Sequence, residues 1–241
     1  MGTSIMNAKA LADPFFLAKH ALRLEIAAMA ASASGTVLDV GCGTAPYRAF
    51  FAHTNYIGVE VAAASKYGSA KRGADLLYDG SSLPIADESV DYILCNQVLE
   101  HVFEPGLFLR ELLRVLRPGG QLLMTVPFVW DEHEQPYDFA RYSSFGLAYL
   151  THSAGFEMVA SRRTLADASL FAQLWLAYWF KVIRRRNPSS STRRLVIAGI
   201  SVPLNLIGLL LAKTLPANPD LYLDNAMILA RPSCCSPGVR R

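Results

Sequence analysis

The chain reads as an α/β fold built on a mostly parallel sheet with helices on both faces. Three observations predict it. The apolar run Val37-Leu38-Asp39-Val40 passes directly into the turn Gly41-Cys42-Gly43-Thr44. Further runs are apolar throughout, as strands buried on both faces are. Stretches of helical periodicity separate those runs, as in repeated strand–helix units.

The first strand carries the most specific signal. A Gly-x-Gly turn at a strand's carboxyl end lets backbone approach a ligand, because a side chain at Gly41 or Gly43 would block the contact. Tyr56-Ile57-Gly58-Val59-Glu60-Val61 is the second strand. It ends on an acid about 20 residues after Asp39, where a carboxylate can accept two ribose hydroxyls. Leu76-Leu77-Tyr78-Asp79 is a short third strand, Val90 to Gln97 a fourth and Gln121 to Pro127 a fifth. Arg117-Pro118-Gly119-Gly120 stops the helix before the fifth. Glu157 to Arg163 is the sixth, and the fold resumes at Leu221 to Arg231, expected at the edge of the sheet.

Two helices are legible by their stripes. Asp13-Pro14 caps one, with Phe15, Ala18, Leu22, Ile26 and Met29 inward and Lys19, Arg23 and Glu25 off the stripe. Glu104-Pro105 starts another, burying Phe108, Leu112, Val115 and Leu116 while exposing Arg110, Glu111, Arg114 and Arg117. Core packing accounts for both.

Gly-x-Gly after a strand also occurs in dinucleotide sites, which seat a pyrophosphate on a helix N-terminus. Here the position three after Gly43 is Pro46, which has no N–H to offer a phosphate.

Taken in order, these segments resemble the class I S-adenosylmethionine-dependent methyltransferases, in the small-molecule, type 11-like branch. Leu38-Asp39-Val40-Gly41-Cys42-Gly43 is similar to that family's first motif. Leu83-Pro84-Ile85-Ala86-Asp87-Glu88-Ser89-Val90-Asp91, Val98-Leu99-Glu100-His101-Val102 and Leu113-Arg114-Val115-Leu116-Arg117-Pro118-Gly119-Gly120 match its later signatures. The resemblance covers about residues 15–165 and a last strand at 222–231. It implies a Rossmann-like, seven-stranded, mostly parallel sheet whose last strand is antiparallel. The first motif often has a third glycine, where Ala45-Pro46-Tyr47-Arg48 stands instead.

The resemblance also implies site residues. Asp39, Gly41, Cys42, Gly43, Tyr47, Glu60, Val61, Asp79, Gly80, Ser81, Asn96 and Gln97 would bind S-adenosylmethionine and its product S-adenosylhomocysteine. Methyl transfer from a sulfonium is an in-line displacement, so positioning supplies much of the rate. A base matters only for an acceptor with a high-pKa proton. In the loop Pro127 to Tyr142, His133 is the candidate base, with Asp131, Glu132 and Glu134 available to orient it. His101, Tyr137, Arg141 and Tyr142 are candidate acceptor-side residues, with helix capping as the competing role for His101. No second His/Cys cluster accompanies His133 in sequence, so no metal is expected.

The 52% apolar share and mean hydropathy of +0.24 are high beside 18% charged residues. The excess lies after the sixth strand. Ala168 to Phe180 and Leu195 to Ala212 are uncharged runs, the second broken by Pro203 and Asn205. Arg184, Arg185, Arg186, Arg193 and Arg194 stand between them. A spanning hairpin would carry those arginines across the bilayer, and the first run falls short of the about 20 residues a span needs. Three arrangements remain: contact with an anionic membrane surface, a lid or dimer contact, and true spanning.

The expected organisation is a helical cap at 1–34, a cofactor-binding core at 35–164, a hydrophobic insertion at 165–219, a final strand at 220–232 and a tail at 233–241. The expected substrate is a small lipid-like or lipid-linked acceptor, and the expected place is the cytoplasm, peripheral on the membrane's cytoplasmic face. A homodimer is allowed. The competing function is a catalytically silent methyltransferase-like scaffold for a membrane-associated biosynthetic enzyme. The net charge of +3 comes with no basic groove interleaved with aromatics, which argues against nucleic acid. Cys42 and Cys95 in buried positions suit a reducing compartment, and Cys234-Cys235 fall in the tail.

Overall fold

A computed structural model describes residues 8–62, 73–186 and 189–233; the expected tail, with Cys234 and Cys235, lies outside them. Seven strands form one sheet: β1 (Thr36–Val40), β2 (Asn55–Val61), β3 (Leu76–Tyr78), β4 (Val90–Asn96), β5 (Leu116–Pro127), β6 (Glu157–Arg163) and β7 (Asp224–Ala230). Their order is β3-β2-β1-β4-β5-β7-β6. The first five pair in parallel, with Asp39 opposite Gly58 on one side and Leu94 on the other. Adjacent β1 and β4 thus end side by side, which sets the glycine turn beside Asn96.

β7 is not at the edge. It lies between β5 and β6, crossing β5 antiparallel, with Gly119 N–H donating to Arg231 C=O and Arg231 N–H to Gly120 C=O. Composition explains the exchange of places. Asp224-Asn225-Ala226-Met227-Ile228-Leu229 is buried throughout, whereas β6 exposes Glu157, Met158, Val159 and Arg162. A strand exposed on both faces and bearing charges is suited to a sheet edge. The hydrophobic insertion interrupts the hairpin between β6 and β7, as expected.

The core lies on the faces of β1, β4 and β5. Val40, Ile93, Cys95, Leu122 and Met124 pack with Phe108, Leu109, Leu112 and Val115 of helix α3 (Pro105–Val115) and Leu147 of α4 (Ser144–Ser153). Each such side chain contributes about 1.5–3 kcal/mol by leaving water. Glu111 and Arg114 are not simply solvated, contrary to the stripe. Glu111 accepts the Leu83 N–H at 2.7 Å, and Arg114 binds Glu111 and the carbonyls of Leu83 and Ile85. The signature segment before β4 is thereby tied to α3.

The chain divides into two compact units. One holds residues 25–128, 132–162 and 225–233, which is the sheet with α3 and α4. The other gathers residues 8–24, 129–131 and 163–224, so the first helical residues belong with the insertion. In that unit are α1 (Ala8–Leu11), the first part of α2 (Phe16–Met29), α5 (Ser169–Arg185) and α6 (Ser190–Thr214). Phe16 and Leu17 are the buried residues early in α2, while Phe15 and Ala18 are half-buried. Gln173 Nε2 donates to Pro14 C=O at 2.9 Å and its Oε1 accepts the Ala18 N–H at 3.0 Å. A Cβ on Gly208 would sit 2.6 Å from Leu17 Cδ1 and 3.1 Å from Ala172 Cβ, so the helices touch where α6 has no side chain. α6 continues through Pro203, and Asn205 donates to the carbonyls of Leu11 and Asp13. By length and composition it is one helix able to cross a membrane.

Candidate active site

The turn after β1 is held against β2. Gly41 and Cys42 N–H groups both donate to Val59 C=O, at 2.9 and 3.2 Å. Gly41 has φ +71°, and a Cβ there would meet Val98 Cγ2 at 2.5 Å. Gly43, φ +54°, would point a Cβ into open space. Gly41 is therefore required by packing, while Gly43 borders a space that the described residues do not fill. That space is a cavity of about 320 Å³ lined by Asp39, Gly41, Cys42, Gly43, Thr44, Pro46, Tyr47 and Asn96. Ala45, near the family's missing third glycine, takes φ +52°, a conformation an alanine adopts at a cost of ~1–2 kcal/mol.

Carboxylates flank the turn. Glu60 Oε2 accepts the Gly43 N–H at 2.8 Å, and Oε1 accepts its neighbour Val61 N–H at 2.9 Å. Asp39 is buried, and Tyr56 O–H donates to it. Burial raises the Asp39 carboxyl strongly, the Tyr56 hydrogen bond lowers it, and the Glu60 charge raises it again, to about 7. Burial beside Asp39 and Glu60 also pushes the Cys42 thiol up to about 12, so it is an inert small side chain.

Asn96 and Gln97 end β4 and share one anchor. Thr125 Oγ1 donates to Asn96 Oδ1 at 2.8 Å and accepts from Gln97 Nε2 at 3.3 Å. Gln97 has φ +55°, a strained conformation of the kind found at binding sites. Asp79 after β3 is exposed, and its Oδ1 accepts the N–H groups of Ser81 and Ser82. Those bonds hold its carboxyl near 2 and shape the loop. Gly80 places that loop beside Val61. Six expected cofactor residues thus wall one cavity, Glu60 and Val61 adjoin it through Gly43, and Gln97 follows Asn96. The Asp79–Ser81 loop reaches it only by way of Val61.

The loop after β5 differs from expectation. His133 is oriented by Asp138, whose Oδ2 lies 3.2 Å from Nδ1 and accepts the His133 backbone N–H at 2.9 Å. The three acids proposed for that task are engaged elsewhere. Asp131 pairs with Lys181 at 2.9 Å, Glu132 accepts from Gln135, and Glu134 lies near His101. Arg141 makes a two-pronged contact with Asp138 at 2.6 and 2.7 Å, so its guanidinium builds the loop. Burial alone would raise Asp138, but Arg141 and the His133 amide outweigh it and hold the carboxyl near 2. His101 caps no helix. It ends the turn Leu99–His101, and its Nδ1 donates to Tyr137 C=O at 2.7 Å. Tyr137 is exposed, while Tyr142 is half-buried, with its carbonyl accepting from Asn225. Thr44, Pro46, Tyr56, Thr125 and Asp138 are the residues the sequence reading lacked. Asp138, three before Arg141, was recoverable as a short-range ion pair.

Residues 38–124 match the model of a methyltransferase domain. The matched stretch is a little over a third of the chain, and over it the chain is similar to a methyltransferase domain. An uncharacterized methyltransferase of Mycolicibacterium vanbaalenii is 40% identical over 102 residues, 39% of this chain and 40% of that protein. One of Mycobacterium avium is 41% identical over 107 residues, covering 41% and 42%. The match thus spans about two fifths of the length of these curated relatives. Among solved structures, the [4+2]-cyclase SpnF superposes with TM-score 0.55 at 20% identity, covering 88% of this chain and 82% of that one. Haemonchus contortus phosphoethanolamine N-methyltransferase 2, in complex with S-adenosyl-L-methionine, gives 0.54 at 15%, covering 87% and 52%. These two likenesses show the fold alone.

Proposed function

We propose that the chain transfers a methyl group from S-adenosylmethionine to a small lipid-like or lipid-linked acceptor beside an anionic membrane surface. The observation that carries the first half is the cavity over Gly43, left open by the described residues, lined by Asp39 and Asn96 and adjoined by Glu60 through its bond to Gly43. Its volume lies at the lower end of ligand pockets, as suits an elongated nucleoside only partly enclosed. The donor set fits too, since two acids and an amide suit ribose hydroxyls and a cationic amino-acid tail, and nothing there demands a phosphate.

S-Adenosylmethionine supplies an activated methyl carbon. In this reading Glu60 and Val61 hold the ribose, and Asp79, Gly80 and Ser81 border the adenine. Asp39, Tyr47, Asn96 and Gln97 face the methionine end. His101, Tyr137 and Tyr142 line the acceptor's approach, with Arg141 shaping it through Asp138. His133, its Nδ1 turned to Asp138, presents Nε2 to an acceptor proton.

Support for the membrane half comes from the helical unit. Phe171, Trp175 and Tyr178 recur at helical spacing on α5 and are exposed. Arg184 and Arg185 occupy its last turn, and Arg194 is exposed near the start of α6. An aromatic stripe beside arginines matches a helix lying in the headgroup layer of an anionic leaflet.

The experiment is calorimetry with S-adenosylhomocysteine, followed by incubation of the protein with radiolabelled S-adenosylmethionine and a lipid extract. Binding together with label in the lipid fraction supports the reading. Absence of S-adenosylhomocysteine binding leaves the silent-scaffold alternative.

A further inference from the structure

Next to the cofactor cavity the chain assembles a group that the function above does not require. Asn96 borders the cavity, and a few residues on, Glu100 and His101 close the turn after β4. The loop after β5 folds back onto that turn. Phe139 and Ala140 N–H groups both donate to Glu100 C=O, at 2.9 and 3.3 Å. This brings His133 against His101, edge to face, with ring centroids 4.8 Å apart.

Both imidazoles are held by neighbours at Nδ1. A carbonyl can only accept, so His101 Nδ1, 2.7 Å from Tyr137 C=O, carries the proton and the lone pair of the neutral ring is on Nε2. His133 Nδ1 lies 3.2 Å from Asp138 Oδ2 and 3.4 Å from Arg141 Nη2, between an acceptor and a donor that are themselves paired. An oxygen acceptor behind Nδ1, as at His101, sets tautomer and direction in metal-ligating histidines, and the carboxylate of Asp138 stands in the corresponding place behind His133. Glu100, fully buried, lies beside them, with Oε1 3.8 Å from His101 Nε2. Ligand atoms of Glu100, His101 and His133 all fall within 4.8 Å of one another. Glu134 Oε2 is 3.9 Å from His101 Nε2 on the exposed side. Tetrahedral ligands at about 2.1 Å from a shared ion are roughly 3.4 Å apart, so closure of about 1 Å by side-chain rotation completes the set.

We propose that Glu100, His101 and His133 form a divalent transition-metal site whose remaining coordination position takes an oxygen of the methyl acceptor. Two imidazoles and one carboxylate suit zinc and its first-row neighbours better than magnesium or calcium. Three protein ligands leave a position open, as in catalytic rather than structural zinc sites. An ion there would lower the pKa of a bound hydroxyl and fix its direction; with the ion bound, the His133 Nε2 lone pair is a ligand, and the ion replaces the base role that His133 has in the metal-free reading above. The acceptor's part in this rests on the methyl-transfer reading. Metal binding itself does not.

The test uses the full chain, stripped with chelator and titrated with Co²⁺, followed by its visible absorption and by metal content after gel filtration. One Co²⁺ per chain is expected. H101A and H133A should each weaken it at least tenfold, D138N by about 10- to 100-fold through lost orientation, and H152A, outside the cluster, not at all. S-Adenosylhomocysteine affinity is measured on the same samples. Co²⁺ binding without nucleoside binding keeps the metal site and removes the methyltransferase reading. No stoichiometric Co²⁺, or equal affinity in H101A and H133A with thermal melts showing both folded, overturns the site. E100Q, isosteric and uncharged, provides a third check, since Co²⁺ bound as tightly by it as by the parent also overturns it.

Discussion

Glu60 at the end of β2 accepts the backbone N–H of Gly43 at 2.8 Å, which makes the acid and the glycine turn one rigid piece. Each fixes the other's place at the mouth of the cavity. Glu60→Ala should therefore weaken S-adenosylhomocysteine binding more than tenfold. Loss of its hydrogen bonds to Gly43 and Val61 should also destabilise the chain by about 1.5–3 kcal/mol. Calorimetry and thermal melting separate the two effects, and unchanged affinity would remove Glu60 from the site.

The two glycines of the turn should fail differently. Gly41→Ala drives a methyl to 2.5 Å from Val98 and lowers stability by about 1–3 kcal/mol. Gly43→Ala meets no atom of the described residues, pays only the ~1–2 kcal/mol of its left-handed backbone, and fills the space expected for the ligand. Melting temperature should fall further in the first. Nucleoside affinity should be lost in the second while its fold survives.

Asp39 sets a pH dependence. Its folded pKa of about 7 exceeds the unfolded 3.8, so between those values the folded state holds more protons. Stability contributed by protonated Asp39 is present at low pH and is lost as pH rises through 7. Asp39→Asn should flatten that slope and exceed the parent at pH 8 by up to ~4 kcal/mol, read from denaturant melts across pH. In the parent, S-adenosylmethionine affinity should climb over the same window, because a bound cation favours the carboxylate. An equally steep stability slope in the variant would assign the dependence to other groups.

The surface of α5 gives a separate expectation. The triple variant R184A/R185A/R186A should lose roughly 100-fold in partition onto anionic vesicles, at about 1 kcal/mol per arginine. Trp175→Ala should reduce it further at any salt concentration. Co-flotation of all three proteins at parent levels, or of none including the parent, would refute surface binding.

Much of this molecule was legible because burial on both faces writes itself as unbroken apolar runs. β1, β2, β4 and β5 were visible for that reason, and Glu104-Pro105 marked the start of α3. The place of β7 was not visible, since order within a sheet depends on comparing β7's burial with the charges of β6. Pro203 suggested a break, yet α6 runs through it while packing and the Asn205 hydrogen bonds hold that stretch. At the site, the glycine turn and Glu60 follow from spacing along the chain. The meeting of His101 with His133 does not, because it depends on two backbone hydrogen bonds from Phe139 and Ala140 to Glu100. Asp138 was passed over for nearer acids that turned to Lys181 and Gln135.

The position of β7 between β5 and β6 also orders events on the ribosome. The segments of α5 and α6 are translated before β7, so the sheet stays incomplete, with β5 lacking its neighbour, while the hairpin of those helices is already made. Whatever that hairpin meets first, it meets ahead of sheet completion. The final strand then acts as a latch that closes the sheet last, between two strands already in place.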